Sequence, residues 1–153
     1  MIKRNLVRNA ALYPPESQQS VSEIDFFKTD WHESLAPSLA AADVVLAADV
    51  VYDPDITDAF FRALAHVVEG KKKGSNCAVY IAIERRDRIG GEGEVAAPNF
   101  EHFLKKLKEL SEEHEESWTL REVKTDFEQF FDAYERVGNL FMWELQSMKE
   151  KRL

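Results

Sequence analysis

Residues 41–61 read AADVVLAADVVYDPDITDAFF and hold, in one uninterrupted run, a strand, a polar turn and the start of a helix. Val44, Val45, Leu46, Ala47 and Ala48 form a short apolar segment with two β-branched residues at its head, the pattern of a strand covered on both faces in a parallel sheet. Asp49 ends that burial. Asp53 followed by Pro54 predicts a helix start, because an aspartate accepts from the free N–H groups of a first turn and a proline at the first helical position forfeits no hydrogen bond. Ile56, Ala59, Phe60, Ala63, Leu64, Val67 and Val68 then recur at helical spacing, so they share one face that can lie on the sheet. Gly70 marks the stop, and Lys71, Lys72 and Lys73 sit where cations suit the negative end of the helix dipole. The turn between strand and helix carries Asp49, Val50, Val51 and Tyr52, and in open α/β sheets ligands bind at the carboxyl ends of strands. Asp49 and Tyr52 are therefore the candidate functional residues. Asp53 already serves as the cap, which leaves Asp49 without a local structural task.

Outward from this unit, helical and extended patterns alternate. Residues 2–12 have a helical pattern with Leu6, Val7 and Ala10 on one side, closed by Pro14 and Pro15. Residues 17–22 are a polar loop. Residues 23–27 read as a strand through Ile24 and Phe26, followed by a turn at Lys28-Thr29-Asp30-Trp31. Residues 77–83, CAVYIAI, form a second apolar strand that breaks into charge at Glu84-Arg85-Arg86. A long loop over residues 87–98 leads to Asn99, the predicted N-cap of a helix carrying Phe100, Phe103, Leu104, Leu107 and Leu110. Residues 118–123 read as a strand, Phe127, Phe130, Phe131 and Tyr134 have helical spacing, and residues 140–145, LFMWEL, are a final strand. This order predicts an α/β sheet that finishes with two antiparallel strands, in one domain of 153 residues.

Charge and composition narrow the function. The 20 basic and 28 acidic residues leave a net charge of −8, which argues against a generic grip on nucleic-acid phosphates, since that binding runs on lysine and arginine. The acidic run of Glu109, Glu112, Glu113, Glu115 and Glu116 reads as a solvated helix end. Cys77 is the only cysteine, so no disulfide framework is possible, and a buried thiol in a reducing compartment is expected. The first residues show no secretory pattern and no apolar run reaches membrane length, which predicts an intracellular chain of the cytoplasm or nucleus. Gly91 to Ala96 match a G-x-G-x-x-A string, but Glu92 and Glu94 would repel a pyrophosphate and Pro98 separates the glycines from the next helix. His32, His66, His102 and His114 lack ligand spacing, so no metal site is expected.

Three motifs, in order, resemble the seven-β-strand, S-adenosylmethionine-dependent protein-lysine methyltransferases of the methyltransferase-like group. Asn5-Leu6-Val7-Arg8-Asn9 resembles the group's Asn-apolar-x-x-Asn at the helix after the second strand. Lys28-Thr29-Asp30-Trp31 is similar to its Leu-Asp-Trp turn after the third strand, with Thr29 in place of leucine. Ala47-Ala48-Asp49-Val50-Val51-Tyr52-Asp53 resembles the Asp/Glu-x-x-Tyr signature after the fourth strand, and Tyr134-Glu135-Arg136 with Leu140-Phe141-Met142-Trp143 resembles the end of the fold.

The resemblance implies a Rossmann-like sheet in which the third, second and first strands precede the fourth, fifth, seventh and sixth. It implies that Asp30 and Trp31 border the adenine of S-adenosylmethionine, that Ala48 and Asp49 line the cofactor at the strand end, and that Tyr52 walls a lysine channel. The group's acidic-Gly-x-Gly loop and its ribose-binding acid have no counterpart among these residues. Residues 1–153 are accordingly expected to be the carboxy-terminal part of a single methyltransferase domain, lacking the first two strands and the glycine-rich cofactor loop. The strand at residues 44–48 would then be an open edge, prone to self-association. Two functions follow as expectations: a protein-lysine N-methyltransferase whose cofactor site is incomplete in this chain, acting on a lysine side chain of a protein; or a non-catalytic interaction module derived from that fold.

Overall fold

The computed structural model describes residues 2–28, 31–71, 75–89, 95–126, 128 and 138–148. The helices are α1 (Ile2–Arg8), followed by a 3-10 turn (Ala10–Leu12), then α2 (Trp31–Ala41), α3 (Pro54–Glu69) and α4 (Pro98–Glu113). The strands are β1 (Val44–Ala48), β2 (Ala78–Glu84), β3 (Arg88–Ile89), β4 (Val95–Ala96), β5 (Trp118–Val123) and β6 (Leu140–Ser147).

β1 runs parallel to β2, with Val44 opposite Ala78 and Ala48 opposite Ala82. β6 pairs antiparallel with the other side of β2, and β5 closes the sheet antiparallel to β6. The spatial order β1-β2-β6-β5 reproduces the last four places of the order that the resemblance implies, a mixed α/β sheet of partial Rossmann-like form. The parallel pair needs a crossover, and α3 supplies it.

α3 begins as expected: the Ile56 N–H donates to Asp53 Oδ1 at 2.9 Å, and Pro54 occupies the first turn. Its apolar face, with Phe60, Phe61, Leu64 and Val68, packs in one core with Val79, Ile81 and Ile83 of β2, Phe103, Leu107 and Leu110 of α4, and Trp143 and Leu145 of β6. Aromatic rings bind this layer together, Phe61 to Phe103 at 5.5 Å and Phe103 to Trp143 at 5.2 Å between centroids. Thr57 is also buried, its Oγ1 donating to the Asp53 carbonyl at 2.6 Å. Cys77 is a buried free thiol just ahead of β2.

Several expectations fail for identifiable reasons. Residues 23–27 are not a strand. The Phe27 N–H donates to Asp25 Oδ1 and the Lys28 N–H to the Asp25 carbonyl, forming a turn that sets Phe26 edge-on against Phe60 at 5.8 Å. A strand requires a paired neighbour, which periodicity alone does not supply. Where a turn ending at Trp31 is expected, the chain enters α2, which accommodates Pro37 in its interior. Lys71 serves that helix rather than its own: its Nζ donates to the carbonyls of Leu39, Ala40 and Ala42 at the end of α2. Gly70 stays right-handed, at φ −70°, so its conformational freedom is not what ends α3.

The N-cap of α4 is Ala97, with Pro98 in the first turn, and Asn99 falls inside the helix. Leu104 turns outward. α1 buries none of its residues. The loop after β2 contains the two-residue ribbon of β3 and β4, with Arg88 opposite Ala96. The glycine-containing residues 91–94 lie outside the described residues, as do Phe127, Phe130, Phe131 and residues 134–136. The acidic end of α4 is solvated as expected, with Glu109 paired to Lys106 at 3.1 Å and Glu112 to Lys108 at 3.6 Å.

β1 is not covered on both faces. Val45 and Ala47 pack against the core, whereas Val44 is 55% and Leu46 76% exposed. Leu46 heads a row that crosses all four strands, opposite Tyr80, which faces Glu144, which faces Arg121. Tyr80 Oη donates to Glu144 Oε1 at 2.6 Å and Arg121 Nε donates to Glu144 Oε2. Those bonds, that from Arg121 foremost, hold the buried Glu144 carboxyl below the usual glutamate range, and the bond to Glu144 pushes the Tyr80 phenol up.

Candidate active site

The site forms where the parallel strands β1 and β2 end side by side. Asp49 follows the last residue of β1, and its N–H continues the ladder to the Ala82 carbonyl at 2.9 Å. Its φ of 52° is left-handed, the only such value among the described non-glycine residues. Aspartate is one of the few side chains that occupy this region at modest cost. The reversal releases the chain from the sheet, so that Val50 and Val51 return to the core edge while Tyr52 stays half exposed. Asn99 Nδ2 donates to the Tyr52 carbonyl at 2.6 Å, tying the turn to the start of α4.

The end of β2 and the residues just after it contribute the charged groups. Arg86 Nη2 reaches Asp49 Oδ1 and Oδ2 at 3.3 and 3.2 Å, and Arg86 Nε lies 3.5 Å from Glu84 Oε2. The same guanidinium stands 5.9 Å from the centre of the Tyr52 ring. Arg85 takes the other direction, bonding Asp87 at 2.7 Å and standing 5.9 Å from the Phe100 ring. Between these groups lies a cavity of about 220 Å³ lined by Val51, Tyr52, Ile83, Glu84, Arg86, Pro98, Asn99 and Phe100. Pockets for whole small molecules run to roughly 300–1,000 Å³. This one is smaller, and its lining mixes apolar Ile83, Pro98 and Phe100 with polar Glu84, Arg86 and Asn99.

Of the residues singled out from sequence, the fold brings Ala48, Asp49 and Tyr52 to one sheet end, with Ala48 exposed. Trp31 opens α2, the helix that leads into β1. Asp30 lies outside the described residues. Asp49 does have a structural task, the pairing with Arg86. Arg86 and Asn99 were missed as site residues. A usable signal existed for Arg86: strands in parallel register end at the same edge, so the charged break after β2 had to fall beside Asp49.

A family model described as lysine methyltransferase matches residues 3–110, from α1 through the strand ends at the site and into α4. The chain belongs to this lysine methyltransferase family. It is 28% identical over 160 aligned positions to methyltransferase-like protein 22 of Mus musculus, covering 95% of the chain and 40% of that protein. The Homo sapiens protein of the same name is 25% identical over 160 positions, with 95% and 39% covered. The chain thus spans about two fifths of the length of these curated relatives. Family membership points to enzyme class and, in general, to S-adenosylmethionine. Among the described residues no helix is long and apolar enough to cross a membrane.

Proposed function

We propose that residues 1–153 are the carboxy-terminal part of a methyltransferase domain that transfers a methyl group from S-adenosylmethionine to the Nζ of a protein lysine, in the cytoplasm or nucleus. The observation that carries the reading is the cavity lined by Tyr52, Glu84 and Arg86, the last paired to the Asp49 carboxylate, at the carboxyl ends of two parallel strands. The exposed Ala48 and the half-exposed Asp49 fit the methyl-donor side, small enough to leave room and negative enough to suit a sulfonium. Asp30 and Trp31 are the proposed adenine-side residues. When bound, S-adenosylmethionine supplies an electrophilic methyl group.

The chain's own residues act on the lysine. Free lysine has a pKa of about 10.4, so it arrives as an ammonium and must lose its proton to solvent water before it reacts. Ile83, Pro98 and Phe100 desolvate its stem, which favours the neutral amine. Asp49 accepts from the amine and fixes its direction, and Tyr52 limits its approach, so the contribution is mainly positional. Self-association along the open β1 edge is part of this reading, supported by the exposure of Val44 and Leu46.

Transfer of labelled methyl groups to lysine by the enzyme carrying this sequence tests the assignment. Asp49→Asn tolerates the left-handed backbone and is expected to lower kcat and kcat/KM together with an unchanged circular-dichroism spectrum. Tyr52→Phe should do less harm than Tyr52→Ala. Wild-type turnover in Asp49→Asn would confine Asp49 to its pairing with Arg86. An absence of transfer in every form, with a partner bound at this surface, would favour the interaction module.

A further inference from the structure

The proposed lysine seat already contains a cation. Asp49, Glu84 and the Tyr52 ring surround one positive group, and that group is the Arg86 guanidinium, at 3.2 Å from Asp49 Oδ2, 3.5 Å from Glu84 Oε2 and 5.9 Å from the ring centre. A carboxylate and an aromatic face are the two features that attract an alkylammonium as well. Arg86 also lines the cavity.

We propose that Arg86 is a resident competitor for the substrate lysine: its guanidinium occupies Asp49 and Tyr52 in the free chain and yields them to the incoming ammonium while remaining paired to Glu84. The inference rests on the lysine reading of the same site. Charge balances through the exchange, since Asp49 trades one cation for another and Glu84 retains Arg86. The side chains of Arg86, Asp49 and Glu84 are 58%, 51% and 41% exposed, so the pair to be broken is solvated and weak. Glu84 thereby becomes a specificity residue, because it sets how readily Arg86 departs. A neutral or anionic side chain has no means of displacing the guanidinium, so the device selects for a cationic one.

The test titrates the full chain with Nα-acetyl-lysine methylamide at low ionic strength, followed by NMR, with the norleucine analogue as the uncharged control. Arg86→Gln is expected to bind the lysine amide about two- to fivefold more tightly than wild type, the range set by losing an exposed ion pair. Glu84→Gln should bind more weakly than wild type, and that loss should vanish in the Arg86→Gln background, the coupling expected when one residue acts through another. Arg86→Lys, which keeps the charge, should stay near wild type. Asp49→Asn should abolish the gain of Arg86→Gln. If Arg86→Gln binds no better than wild type while Asp49→Asn still weakens binding, the lysine seat stands and the competitor role is overturned. If no form prefers the lysine amide to norleucine, the lysine reading itself fails and takes this inference with it.

Discussion

β1 and β2 are parallel neighbours of similar composition, VVLAA against AVYIAIE, yet Val79 and Ile81 of β2 are fully buried where their partners in register, Val45 and Ala47 of β1, are only partly so, and on the other face Val44 and Leu46 stand in solvent. Both sequences have the apolar content of an interior strand. β2 has ladders on both sides, to β1 and to β6, and lies beneath α3 and α4. Among the described residues β1 has one ladder, and of its side chains Val45 and Ala47 pack against the core. Burial therefore follows a strand's place in the sheet and not its composition, and the difference appears where the site forms.

The largest expected effect falls on the interior strand. Ile81→Ala should destabilise the chain by about 2–5 kcal/mol, because Ile81 is fully buried and its loss leaves a cavity. Leu46→Ala, at the exposed edge, should stay within about 0.5 kcal/mol. Urea unfolding midpoints measure both. Equal losses would break the comparison and mean that the outer side of β1 is covered in solution.

An intermediate effect lies in the polar row that joins β2 to β6 and β5. Glu144→Gln should cost about 1–3 kcal/mol, since it weakens the bonds from Tyr80 and Arg121 at a buried position. The native carboxyl is held below its ordinary value, so its contribution is fully present above pH about 4.3 and is lost as pH falls through the lower native value. The stability difference between wild type and Glu144→Gln should accordingly be flat near neutrality and shrink in acid. A difference that grows on acidification would contradict the assignment. On the alkaline side the raised Tyr80 phenol acts oppositely, its contribution fading as pH rises through its native value.

Smallest in stability is Leu46→Lys, expected within about 0.5 kcal/mol of wild type, yet it should reduce self-association by placing a charge beside the free edge. Light scattering gives the readout. A wild-type chain that stays monomeric at high concentration would show that exposure of Val44 and Leu46 does not make β1 adhesive.

Much of this molecule was legible in advance. The boundaries of β1, α3 and β5 were readable, the cap at Asp53 and the antiparallel finish as well, because each rests on residues near one another in sequence. The position of Asp49 and Tyr52 just past the end of β1 followed from the same local logic. The failures share a cause. The supposed strand at residues 23–27 lacks a partner, Asn99 bonds across to Tyr52, Lys71 crosses to α2, and Arg86 meets Asp49 only after two strands have aligned.

The sequence by itself determined that this is an α/β chain with a carboxylate and a phenol at a strand end, since apolar spacing, proline position and capping chemistry act over a few residues. Tertiary structure alone decided that a buried glutamate holds Tyr80 and Arg121 together and that Arg86 sits against Asp49 and Tyr52. Those outcomes depend on which distant segments become neighbours, and a short window of sequence carries no record of that pairing.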